Sequence, residues 1–436
     1  MNKISLTTIL YFPLGFFFLN RLSTFFVSGY YIPLLVRPLI LYALLFAGFV
    51  ALAILDIKRS KTNSYYWPRF VIVAVTIFVF MSAAIFTQID LRHQSEDGFS
   101  IIHDGAQQTE ISGQMLLAGK NPYAENFQFT KFGKYNDFAE YPGIDNPAWH
   151  HYIYLPFYLV SSTTAQAIAN GLIGWYDERF LLILMFILTL TLLVRATENQ
   201  ERKLLMMVVF SFNPLFMTFF IAGFNDIFVF FWLTLAFYLL WKNKLGWSAL
   251  VLGLAIASKQ FAWLAVPFYF FFRYYRLPAN QTWLTKSWQV IKSLWPAYLV
   301  VLIFTLPFLL WSPADFKADI IDYPNGSSEY RYPVSGYGFS SYLVLGGWVK
   351  SIHDYYPFGL FQFVIGLPLL ILLLRWQRKN NNIHFLWIIF AIFLMTVAFF
   401  GRYFNDSHIS LVSLTVVASL AFLRGDDLNP DTNGRK

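Results

Sequence analysis

The chain carries apolar stretches, Phe70 to Phe86 and Phe180 to Val194 among them, in which no residue is charged. Such runs approach the ~20 residues that a helix needs to cross a hydrocarbon core, and they leave little choice of solvent. Only 13% of the 436 residues are charged, against roughly 25% in an average soluble domain. The apolar surface is therefore expected to face lipid, not water. The formal charge of +8 does not point to nucleic acid, because Lys and Arg occur in twos and threes beside apolar runs and never as one basic block. They read as topology signals. Cysteine is absent, which removes disulfides, thiolate metal sites and cysteine chemistry without specifying a compartment.

The N-terminus, with Lys3 ahead of apolar residues from Ile9, resembles a signal peptide but lacks a small-residue cleavage site, so it reads as a retained first span. Further spans are expected at about 38–55, 69–89, 178–195, 204–221, 227–241, 294–311, 357–374, 384–400 and 409–423. The stretch 245–273 is too long for one crossing and has Lys259 at its middle, where a charge is costly in lipid. Two short helices meeting at Ser258-Lys259-Gln260 fit better, and the basic flanks at Lys242, Lys244, Arg273 and Arg276 then share one side. The total is about twelve spans. Threaded in this way, one side holds 20 of the Lys and Arg residues and 6 of the Asp and Glu residues. The positive-inside rule makes that side cytoplasmic.

The expected fold is an all-α polytopic membrane protein in consecutive parts. Residues 1–89 form N-terminal spans, 90–176 a large first extracytoplasmic loop with short amphipathic helices, and 177–311 central spans. Residues 312–356 form a second outer loop read as a lid, 357–423 the C-terminal spans, and 424–436 a disordered cytoplasmic tail. Both outer loops are much longer than the 2–8 residues usual between packed helices, so function is expected there. In the first, a helix is expected over Gly105 to Ala118, closed by Gly119. The stretch from Tyr152 with Pro156 and its Ser/Thr run is expected to lie flat on the outer leaflet.

Asp104, just beyond a span and among polar aromatics, stands where a soluble acceptor could meet a lipid-borne donor. As a general base it would take the proton of an acceptor hydroxyl attacking an anomeric carbon, an inverting displacement that needs one base. A departing lipid phosphate would need positive charge, for which Lys259, Arg331 and Arg402 are candidates. Gln108, His151, Tyr154, Asn225 and Asp226 complete the candidate substrate contacts. Blander readings stand beside these. Asp104 with Gln107 fits a capping box, Asn225-Asp226 fits a turn that caps the next helix, and Lys259 and Arg402 fit snorkelling residues at span ends. His150, His151 and His408 show no metal-ligand spacing, so no metal and no cofactor are expected, and no P-loop or dinucleotide fingerprint occurs.

Several strings, in order, resemble the GT-C glycosyltransferases: HDGAQQTEISGQMLLAGKNPYAENF, HHYIYLPFYLV, the FND turn within SFNPLFMTFFIAGFNDIFVFFWLTLAFYLL, WSALVLGLAIASKQFAWLAVPFYFF, and GRYFNDSH. Together they cover about residues 90–273 and 401–408. The group nearest in pattern is the bacterial polyprenyl-phosphate-mannose-dependent mannosyltransferases. The resemblance implies a cell-membrane enzyme with an extracytoplasmic active site, a polyprenyl-phosphate-sugar donor and a glycan or glycolipid acceptor. It places Asp104 as the catalytic base and Lys259 and Arg402 against the donor phosphate. The chain departs from the pattern in having a single Pro156 for a proline pair, and Arg331 lies in a loop with no counterpart. Two other activities fit the same architecture. One is a lipid-linked-sugar flippase, which would favour interrupted spans in two related halves; the other is a polymerase or ligase using a lipid-diphosphate donor.

Overall fold

The uncharged runs fold as helices. The computed structural model describes residues 4–27, 36–59, 65–95, 101–134 and 146–424, so the C-terminal tail from 425 lies outside the described residues. Three long helices come first: α1 (Leu6–Val27), α2 (Val36–Lys58) and α3 (Tyr66–Gln94). Beyond them lie α4 (Asp104–Leu117) and, after four short 3-10 turns, α5 (Pro156–Ile173). The central group is α6 (Arg179–Ala196), α7 (Gln200–Ser211), α8 (Pro214–Ala222), α9 (Asp226–Trp241), α10 (Leu245–Ile256), α11 (Val266–Tyr274), α12 (Trp283–Ser293) and α13 (Trp295–Trp311). The short α14 (Pro313–Lys317), α15 (Tyr323–Asn325) and α16 (Phe339–Leu345) follow, then α17 (Phe358–Lys379), α18 (Ile383–Phe399) and α19 (Asp406–Ala421). The described strands are β1 (Ser335–Gly336) and β2 (Tyr403–Phe404), paired in parallel with Ser335 opposite Tyr403.

This is an all-α membrane protein architecture, but the spans are less uniform than the expected row of about twelve. Among the described residues four helices are long and apolar enough to cross a membrane. Two bent pairs, α7–α8 by 53° and α12–α13 by 47°, are apolar enough to cross if each is one span, and α9, α10, α18 and α19 are shorter apolar helices. The segment expected as one span at 204–221 breaks at Phe212-Asn213, where Asn213 accepts the Leu215 N–H and Pro214 opens α8. A capping Asn followed by Pro at the first helical position starts a helix and does not continue one. Residues 273–293, which lie between the expected spans, include α12, which exposes Trp283, Leu284, Trp288 and Ile291.

The two-helix reading of 245–273 matches the backbone. α10 ends at Ile256, and the chain restarts at Gln260 as a 3-10 turn leading into α11. Gly253 lets α10 and α13 touch, since a Cβ there would lie 2.7 Å from the Ala297 carbonyl. α4 covers the expected helix, and Gly119 follows it at φ +76°.

Two buried polar clusters fasten the helices. In one, Asp56 accepts from the Ser5 N–H (2.9 Å), the Ser5 hydroxyl (2.7 Å) and the Thr8 hydroxyl, and Arg69 pairs with Asp56 and Glu201. In the other, Arg92 bridges Glu110 (2.6 Å) and Asp177 (2.8 Å), while Glu178 accepts from Tyr158, Ser162 and Tyr176. Burial pushes the Glu178 carboxyl up to about 8, against the opposing pull of those hydroxyls. The second cluster ties the ends of α3 and α6 to α4 and α5, which fixes the platform beneath the site.

Candidate functional site

A cavity of about 380 Å³ opens where the N-termini of α4, α9 and α19 converge, with the Lys259 break beside them. Its lining includes Asp104, Gln108, His151, Tyr154, Asn225 and Lys259 from the candidate residues, so positions far apart in the chain share one hollow. Helix N-termini present unpaired N–H groups and a partial positive charge. Each of these three has an Asp in its first turn, namely Asp104, Asp226 and Asp406.

Asp104 is the first residue of α4, and the cap is His103. The capping box of Asp104 with Gln107 is therefore not formed. His103 Nδ1 accepts the Gly105 N–H at 3.2 Å, and its Nε2 lies 2.9 Å from Asp104 Oδ1. The Asp104 side chain is 31% exposed, which leaves it reachable from the cavity. Burial raises its pKa, but the neighbouring His103 ring and the Gly105 N–H outweigh that, and the net shift is below the ordinary carboxylate value. A carboxylate so placed is ionised at neutral pH and able to accept a proton. A Cβ on Gly105 would overlap the Tyr154 hydroxyl, so the absence of a side chain lets Tyr154 cover the start of α4. Burial holds the Tyr154 phenol well above its usual pKa, keeping it a hydrogen-bond donor.

Lys259 Nζ donates to Asp226 Oδ1 (2.6 Å) and Asn225 Oδ1 (2.9 Å). Asn225 occupies the N-cap position of α9 without a side-chain cap bond, so its oxygen serves the lysine in place of the helix end. Asp226 is buried and also accepts from Ser407. It lies behind the cavity wall and orients the ammonium. An ammonium has three N–H donors, and two are engaged, which leaves one for a ligand.

On the facing wall, His151 Nδ1 is 2.7 Å from Asp319 Oδ1, and Asp319 Oδ2 accepts the Tyr152 N–H at 2.9 Å. Burial pushes the Asp319 carboxyl up to about 6, although His151 and the Tyr152 N–H pull the other way. His151 stacks on Tyr323 at 4.4 Å, and Tyr332 stacks on Tyr403 at 4.2 Å. These rings add aromatic surface to the cavity lining. Gln108 donates to the Ala148 and His151 carbonyls and so builds the wall.

Arg402 and Arg331 do not line the cavity. The buried Arg402 guanidinium donates to the carbonyls of Tyr332, Asp354 (2.9 Å) and Ile352 (3.1 Å) and lies against the Gly326 backbone. Arg331 donates to the His353 carbonyl at 3.2 Å. Arg402 thus clasps the second outer segment, the segment that supplies Tyr323, Pro324 and Tyr332 to the cavity. Among the described residues no three His, Asp or Glu side chains gather as a metal site would require.

Residues that sequence reasoning did not select include His103, Gln260, Phe261, Tyr323, Tyr332, Tyr403 and Ser407. His103 was visible only as the neighbour of Asp104. The tyrosines had no signal, because nothing local says that 323–332 folds back over 104. No curated protein and no solved structure matches the chain. Residues 110–274 match a family described as alpha-(1->6)-mannopyranosyltransferase, N-terminal domain. That stretch begins just after Asp104 and contains His151, Tyr154, Asn225, Asp226 and Lys259, so over this part the chain is similar to a mannosyltransferase family.

Proposed function

We propose that the protein is an inverting glycosyltransferase that moves one mannose-like sugar from a polyprenyl-phosphate donor to a glycan or glycolipid acceptor at the extracytoplasmic face. The observation that carries this reading is a reachable carboxylate, Asp104, sharing a cavity with an oriented ammonium, Lys259. The similarity of residues 110–274 to a mannosyltransferase family supports the sugar class.

In this mechanism the acceptor oxygen forms a bond to the anomeric carbon as its proton passes to Asp104. The bond from that carbon to the phosphate oxygen breaks, and the electron pair leaves with the lipid phosphate. One base and one displacement invert the anomeric centre. The remaining N–H of Lys259 and the α9 and α19 N-termini are the groups suited to the phosphate charge. Arg402, assigned to the phosphate by resemblance, acts in this proposal by holding the cavity roof. Arg331 is assigned to the same segment.

The test is purified protein in lipid with a panel of polyprenyl-phosphate sugars and an acceptor extract, scored by free polyprenyl phosphate. Asp104→Asn is expected to lower turnover by at least ~10²-fold, the minimum a positioned general base supplies, with unchanged thermal stability. Turnover retained in Asp104→Asn removes Asp104 from the mechanism, and no release from any donor in the wild type rejects the donor class.

A further inference from the structure

We infer that His103 is a positioning residue for the transfer reaction, holding Asp104 through Oδ1 so that Oδ2 is the oxygen presented to the acceptor hydroxyl. This inference rests on the reading of Asp104 as the base.

The backbone N–H of His103 donates to the Ala222 carbonyl at 2.7 Å, and its ring packs on Phe224 with centroids 3.7 Å apart. The ring is therefore fixed by the α8–α9 turn as well as by α4. Nδ1 accepts from Gly105, which requires a lone pair there and places the proton on Nε2. That proton points at Asp104 Oδ1, which also accepts the Gly105 N–H at 2.6 Å. Among the described residues no hydrogen bond reaches Oδ2. Helix capping explains Nδ1 but not Nε2, and Asn, Asp or Ser caps a helix better than His. A longer ring with a second nitrogen is what a cap needs if it must also reach the carboxylate beyond it.

The other titratable groups that interact with Asp104 are Tyr154, from the turn before α5, and Tyr323, from the second outer segment. Lys259 stands on the same cavity. Both phenols are pushed well above their usual pKa by burial, so neither changes charge as the pH moves from 8 towards 5.

His103→Asn keeps a cap and loses the reach to Asp104. The expected result, in the same lipid assay, is kcat lower by roughly 10- to 100-fold, part of the ~10²–10⁴ of a positioned base, with both KM values within about twofold. Without the partner, burial dominates and the Asp104 pKa rises, so the ratio of variant to wild-type kcat/KM falls as pH is lowered from 8 towards 5. A wild-type kcat and a flat ratio overturn the inference. Imidazole nitrogen NMR on the unsubstituted protein gives a second measurement, with the His103 signal identified as the one that moves in Asp104→Asn. The Nε2–H tautomer supports the inference, and the Nδ1–H tautomer overturns it. Full activity in Asp104→Asn would reject the base itself, a different result from a silent His103→Asn.

Discussion

Lys259 shows how one side chain can carry both a structural and a chemical load. Its side chain is 16% exposed and that of Asp226 2%, so the pair is largely removed from water. Breaking such a pair strands the partner charge, at about 3–5 kcal/mol. Lys259→Ala alone should therefore lower stability as well as donor affinity, and loss of activity in it would be ambiguous. The double variant Lys259→Ala with Asp226→Asn neutralises the stranded carboxylate. It is expected to recover most of the thermal stability while the donor KM stays raised at least ~10-fold, the loss for one charge-assisted hydrogen bond. A donor KM that returns to the wild-type value in the double variant would make Lys259 a structural cation only.

The cavity is also a product of elements that stop. α4, α9 and α19 begin at it and α10 breaks beside it, so residues of three helix starts share the same space. The second outer segment is brought over that space by two devices, the β1–β2 bridge and the Arg402 clasp. A planar guanidinium reaches several carbonyls from fixed directions, whereas an ammonium on a flexible stem is a point charge. Arg402→Lys keeps the charge and loses the clasp. Limited proteolysis is expected to cut within 312–356 several-fold faster in the variant, and kcat to fall with it. Wild-type cutting rates combined with a changed donor KM would return Arg402 to the phosphate.

Across the whole molecule, two groups of residues distant in the chain meet in space. Ser5, Asp56, Arg69 and Glu201 form one polar network, while residues within 103–105, 224–225, 259–261, 323–332 and 403–408 line the cavity. The chain has no cysteine, so a single introduced thiol reports its own side without background. With Lys350→Cys and Asn380→Cys, at exposed positions flanking α17, an impermeant maleimide is expected to label the first in intact cells. The second should react only after permeabilisation. Labelling of both from outside would remove the topology on which the proposed site depends.

The amino-acid order determined the apolar helices, the break at Lys259 and the segments worth inspecting, because hydrophobic runs and isolated charges act over a few residues and leave a local record. It also singled out Asp104, Asn225, Asp226 and Lys259, polar residues where apolar sequence pauses. The tertiary structure decided what those residues face. Whether Arg402 meets a phosphate or three carbonyls, and which tyrosines from 323–332 and 403 close the cavity, depend on contacts between segments far apart in the chain. No local periodicity encodes such contacts, since they arise only when the packed helices bring their ends together.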